Sequence, residues 1–145
     1  MTARAVLAVA LLVAAASPLA PAPARAQQVP TLDRVDSLLA AGAYADARAT
    51  LERWWSARES FDVPGSDNVR ATMLRARLQT DPAAAETDYL NIVIGNPTSP
   101  YAPEALLRLG QGLLARGQAA RAAAYLQRLA VDYPGHPQRP LGMLW

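Results

Sequence analysis

Any chemistry this chain performs has to come from a short set of side chains. The sequence holds one His, 12 acidic residues, 14 basic residues that are all Arg, and no Cys. Without Cys or Lys there is no thiolate nucleophile and no amine for Schiff-base chemistry. A zinc site draws on several His or Cys ligands, and His136 stands alone in Pro134-Gly135-His136-Pro137, where a loop imidazole reads as a solvated side chain. No G-x-S-x-G elbow, S-x-x-K pair or Gly-rich phosphate loop occurs. Two carboxylate pairs remain. Asp33 and Asp36 lie three apart and share a helix face, as a general acid and base would, but solvated helix faces carry such pairs routinely. Glu86 and Asp88, two apart, diverge. The expectation is therefore no catalytic residue, no metal and no cofactor, and a chain that is not an enzyme.

The first residues have the grammar of a secretory signal peptide. Arg4 supplies a positive charge, Ala5 to Ala16 is an unbroken apolar run, Ser17-Pro18 ends it, and Ala24-Arg25-Ala26 offers a small-x-small cleavage site. The run is shorter than the roughly 20 apolar residues that span a bilayer. A lone Arg4 favours the general export route over the twin-arginine one. Cleavage after Ala26 removes Arg4 and Arg25 and leaves 12 Arg against 12 acidic residues. That balance argues against nucleic acid and against an anionic membrane surface as partners. The lack of Cys excludes both a disulfide framework and a lipidated cysteine. Residues 1–26 are thus expected to be a signal peptide, 27–30 a short linker, and the rest one domain, periplasmic and not a lipoprotein.

What must position any functional side chain is a series of helices. Ala is abundant, Phe occurs once, and β-branched runs are scarce apart from Ile92-Val93-Ile94, a composition that favours helix. Thr31 can cap a first helix carrying Leu32, Val35, Leu38 and Leu39, with Gly42 ending it. A second runs from Tyr44 to about Arg58 with Ala47, Leu51 and Trp54 on one stripe. Glu59 to Asn68 reads as a loop, with Pro64-Gly65 as its turn and Ser66 as the next cap. A third helix carries Val69, Met73 and Ala76. Asp81-Pro82 restarts the chain into a fourth with Ala85, Tyr89 and Ile92, stopped at Gly95-Asn96-Pro97. A fifth begins near Pro100 to Pro103 and carries Leu106, Leu109 and Leu113 to Gly117; a sixth carries Ala122, Leu126 and Leu129.

The chain also repeats itself. Pro97, Pro100 and Pro103 recur as Pro134, Pro137 and Pro140, and the second helices share one template: Ala47-x3-Leu51-x2-Trp54, Ala85-x3-Tyr89-x2-Ile92 and Ala122-x3-Leu126-x2-Leu129. Repetition with a period between about 20 and 50 residues marks stacked supersecondary units. With Leu106, Leu109-Gly110, Leu113 and Gly117 in the third pair, the sequence resembles the tetratricopeptide repeat family. The third unit carries the pattern best; the second has Thr72-Met73 for Leu-Gly and Thr80 for the turn Gly. The fold expected is all-α, a tetratricopeptide-like α-solenoid of about three helical hairpins plus the start of a fourth. The repeat domain covers 31–139, in units of about 31–60, 66–97 and 100–134. Each hairpin is too small to bury its own apolar stripe, so each covers the next. Residues 140–145 read as the opening of a further helix without a partner, either because the natural chain continues or because a degenerate helix caps the stack.

The resemblance implies a groove lined by the first helix of each pair, which receives an extended peptide or a helix. Its positions fall on Asp33 and Asp36, on Arg70, Leu74 and Arg77, and on Glu104, Leu107, Gln111 and Leu114. Arg70 and Arg77 are the strongest candidates, since a guanidinium fork can pair with a carboxylate or carbonyl of an inserted chain. Adjacent helix positions diverge by about 100°, so Trp54 takes the buried place and Trp55 either meets a partner or covers the loop that follows. Pro100 to Leu114 with Ala124 to Pro134 is similar to the repeat region of periplasmic Tol-Pal coordinator proteins, scaffolds of the cell envelope, whose coiled-coil amino end has no counterpart here. The implied function is a non-catalytic exported scaffold for a protein partner. The alternative is the amino-terminal recruitment domain of a larger exported enzyme such as a cell-wall hydrolase.

Overall fold

The computed structural model describes residues 30–60 and 62–143; the expected signal peptide, nearly all of the expected linker, and Leu144 and Trp145 lie outside them. Among the described residues there are seven α-helices and no strand: α1 Leu32–Ala40, α2 Tyr44–Ala57, α3 Gly65–Leu78, α4 Pro82–Gly95, α5 Ala102–Ala115, α6 Ala119–Asp132 and the short α7 Arg139–Met143. None of these is long and apolar enough to cross a membrane. Helices α1 and α2, α3 and α4, and α5 and α6 form consecutive hairpins, and α7 packs on α6. This is the expected tetratricopeptide-like solenoid.

The turns explain the hairpins. Gly42 and Gly117 both sit at φ of 72°, the left-handed region that only glycine enters at little cost. Around each, two backbone bonds close the helix end: Gly42 N–H donates to the Leu39 carbonyl and Ala43 N–H to that of Leu38, and Gly117 and Gln118 repeat this onto Leu114 and Leu113. That is a Schellman cap, and it turns the chain back on itself. Gly117→Ala should therefore cost about 1 kcal/mol, seen as a lower midpoint in a urea titration with an unchanged slope.

The middle hairpin lacks the glycine and solves the problem twice over. The Asp81 carboxylate accepts from Ala83 N–H at 3.0 Å and Pro82 opens α4. The Leu78 carbonyl, left bare at the end of α3, accepts from Arg48 Nε of α2 at 2.9 Å. A side chain of the first unit thus closes a helix of the second. The expected cap at Ser66 is corrected: the cap position is Pro64, two residues earlier, and α3 opens at Gly65. There the Pro64 carbonyl accepts from the Asp67 and Asn68 amides, so backbone replaces a hydroxyl. Helix α2 ends at Ala57 and continues as a 3-10 turn, Arg58–Ser60.

Packing follows the repeat template. Tyr89, Ile92, Ala122, Leu126 and Leu129 are buried, and Ala85 packs against the same core. Helix α3 is a shared wall. Its Val69, Met73 and Ala76 join α4, α5 and α6 in one core, while its Ala71, Leu74 and Leu78 join α1 and α2 in a second. A helix apolar on two sides cannot be solvated alone, which is why the hairpins stack. Within the third hairpin α5 and α6 approach closely at Gly110, where an added Cβ would lie 2.5 Å from Leu126 Cγ.

Candidate functional site

The residues expected to line a groove lie on α1, α3 and α5. Asp33 and Asp36 are one turn apart on α1, and between them sits Arg70 of α3. Its Nη2 donates to Asp33 Oδ1 at 2.6 Å and to Asp36 Oδ2 at 2.5 Å, with Nε at 3.2 Å from the latter. Two turns further along α3, Arg77 makes a two-point bond to the Glu104 carboxylate of α5. Glu104 also faces Arg108, one turn on, at 3.7 Å, and Arg108 reaches Gln111 at 3.5 Å. These groups form a ladder of alternating charge across three units. The hydrogen bonds it donates to Asp36 and then Asp33 hold the Arg70 guanidinium above its already high pKa, so it stays charged at any physiological pH.

The arrangement differs from an open row of partner-seeking side chains. Arg70 and Arg77 both have carboxylates from a neighbouring unit, and three Arg face three carboxylates on this surface. Leu74 and Leu107, expected to line the groove, are placed in the two cores instead, with 1% and 4% of their surface exposed. The reason is that α3 and α5 each have a neighbour on both sides, so positions that would be open on an isolated hairpin are covered. Gln111 and Leu114 are half-buried, and Leu114 leans on the larger core. What is left at the surface is polar: Asp33, Asp36, Arg70, Arg77, Glu104 and Gln111.

A second charged cluster escaped the sequence reading. Asp88 of α4 is 4% exposed, and Arg75 of α3 grips it with Nε at 2.9 Å and Nη2 at 2.6 Å. A buried carboxylate requires such a partner. The bond to Asp88 raises the Arg75 pKa against the opposing effect of burial. The Arg75 guanidinium also lies 4.5 Å from the Trp55 ring centre, as does that of Arg58, so the indole of α2 is held by two cations. Trp54 is buried beside it, ring centres 5.6 Å apart. The signal was present in the sequence: Asp88 sits on the apolar stripe of α4 with Ala85, Tyr89 and Ile92. Glu86, on the diverging side as expected, bonds Arg116 of α5 and, at 3.1 Å, Arg121 of α6.

His136 is used structurally, its Nδ1 accepting from Gln138 N–H at 3.2 Å. Among the described residues no group of three or more His, Asp or Glu could hold a metal ion. The surface contains fixed charge and hydrogen-bonding groups and is suited to recognition. Residues 104–136, which span the third hairpin, match the family model described as tetratricopeptide repeat. The match supports a tetratricopeptide repeat in that hairpin, and such repeats are typically non-catalytic protein-interaction modules. No curated protein and no solved structure matches the chain.

Proposed function

We propose that the chain is an exported, periplasmic scaffold with no chemistry of its own, which holds a protein partner along the polar face of α1, α3 and α5. The observation that carries the reading is the charge ladder: Arg70 with Asp33 and Asp36, and Arg77 with Glu104. It ties the first helices of three units into one surface whose side chains are already ordered. A partner meeting a preorganised surface loses less on binding than one that must order it. Because the ladder is internally neutral, its preference is for a polar segment of mixed charge, not for a strongly acidic or basic one. A role in envelope maintenance or division rests on the likeness of Pro100 to Leu114 and Ala124 to Pro134 to Tol-Pal coordinators, and export rests on the pattern of residues 1–26.

The test exchanges charges without breaking the tie. Arg77→Glu combined with Glu104→Arg keeps an ion pair between α3 and α5 but reverses which helix offers which sign. Stability should fall by no more than about 0.5 kcal/mol, the cost of a second guanidinium one turn from Arg108. Capture of a crosslinked partner from periplasmic extract should fall at least tenfold, a loss of about 1.4 kcal/mol. Undiminished capture by the folded double variant would remove the ladder from the binding surface. Arg70→Glu with Arg77→Glu is a poorer probe, because each reversal sets a new acid against Asp33, Asp36 or Glu104.

A further inference from the structure

We propose that the cleft between α1 and α2 binds a small zwitterion, a ligand of one or two amino-acid residues whose carboxylate meets Arg34 and Arg53 and whose ammonium group meets Asp46. The cleft has a volume of about 440 Å³, within the roughly 300 to 1,000 Å³ common to small-molecule sites. Leu38 and Ala49 supply apolar wall, and Arg34, Asp46, Thr50 and Arg53 supply the polar groups. No lining residue belongs to α3, so the cleft is separate from the charge ladder.

Elsewhere among the described residues most arginines are engaged with another part of the fold. Arg70, Arg75, Arg77, Arg116 and Arg121 each hold a carboxylate from another helix. Arg48 and Arg139 cap carbonyls, and Arg58 lies on Trp55. Arg108 and Arg128 bond acids of their own helices, Glu104 and Asp132; the cleft differs in holding an arginine with no partner and another with no carboxylate. The Arg34 side chain makes no hydrogen bond or ion pair among the described residues. Arg53 reaches only oxygens of its own helix, the Ala49 carbonyl at 3.3 Å and the Thr50 hydroxyl at 3.2 Å. Asp46 makes no ion pair among the described residues either, so two exposed cations and an exposed anion line one open cleft without engaging one another.

Thr50 adds a second observation. It is 3% exposed, and its hydroxyl accepts from Arg53 while its own proton has no acceptor among the described bonds. The wall therefore offers guanidinium and hydroxyl donors together with a carboxylate acceptor. Guanidinium forks match a carboxylate, and Asp46 supplies the opposite charge for an amine. A terminal unit of a solenoid needs a polar outer face for solubility, but solubility requires neither a cavity nor a buried hydroxyl beneath it.

The test is a titration of the isotope-labelled full chain with alanyl-alanine, followed by amide NMR. Saturable shifts are expected in the first turn of α1 and between Asp46 and Arg53, and none from the N-acetylated, C-amidated dipeptide of the same size. Arg34→Glu should weaken binding at least tenfold with a thermal midpoint no lower than that of the native chain, since the Arg34 side chain holds nothing among the described residues and a glutamate three residues after the Thr31 cap suits a helix start. The proposal is overturned by the absence of saturable shifts, by equal shifts from the neutral analogue, by equal shifts from inorganic phosphate alone, or by undiminished binding in Arg34→Glu. None of these outcomes bears on the partner-binding face, which the charge exchange at Arg77 and Glu104 tests separately.

Discussion

Gly110→Val is expected to destabilise the protein by about 1–3 kcal/mol, and to lose most of that penalty when Leu126 is Ala. Helices α5 and α6 approach so closely at this point that a Cβ on residue 110 would sit 2.5 Å from both Cγ and Cδ2 of Leu126. Leu126 cannot step aside, being 2% exposed and enclosed by the core it shares with Leu106 and Leu129. Leu126→Ala alone should cost about 2–5 kcal/mol through the cavity it leaves. The two costs should not add, because the smaller side chain vacates the space that the valine needs. Urea midpoints of the four proteins give the coupling energy, and simple additivity would show that the contact does not limit packing. Gly112, two residues on, is a built-in control. A Cβ there meets only a guanidinium nitrogen of Arg116 at 3.7 Å, so Gly112→Ala should stabilise by up to about 1 kcal/mol through helix propensity.

Removing the carboxylate of Asp88 should be the most damaging change of a charged residue. Asp88→Ala leaves the Arg75 guanidinium without the bidentate acceptor that holds it between α3 and α4. Breaking a buried pair costs about 3–5 kcal/mol. Arg75 keeps about a third of its side-chain surface in water, which screens and rehydrates it, so about 1–3 kcal/mol is the expected loss. The effect should reach the first hairpin, since Arg75 also stacks on Trp55. A red shift of tryptophan emission in the folded variant is the second readout, because release of that face admits water to the indole. Asp88→Asn, which keeps the shape and one acceptor oxygen, should lose less than Asp88→Ala. Equal losses would mean that volume, and not the ion pair, is what the position supplies.

These predictions divide along the line between what the sequence makes legible and what it does not. Gly110, Gly117 and Leu126 stand out by comparing units, since small residues and turn glycines recur where the backbone must approach or reverse. Thr31 and Asp81 are readable as caps for a similar local reason: the oxygen that accepts lies within three residues of the amide that donates. Ser66 is the instructive failure. The helix begins ahead of that hydroxyl, with the Pro64 carbonyl accepting from the Asp67 and Asn68 amides, so Ser66 lies inside the first turn instead of before it.

The groove was legible only in part. Arg70 and Arg77 were recognisable as guanidinium groups on a common face, but nothing along the chain says that Asp36 and Glu104 reach them first. Leu74 and Leu107 show the same gap from the apolar side, since their burial depends on a second neighbour that packs on the helix. Asp88 carried a signal that periodicity supplied and that attention to charge alone missed: an acid on an apolar stripe has to have a buried partner.

The amino-acid sequence by itself determined the helices, most of their ends, the pairing into hairpins and the stacked repeat, because propensity, capping and the 3.6-residue period act over a few residues and leave their mark there. Only the tertiary structure decided which carboxylate each arginine takes, which leucines lose their access to water, and which charges around the α1–α2 cleft remain unengaged. Those outcomes depend on the rotation and separation of helices that lie far apart in the chain, a quantity to which no local pattern of residues is sensitive.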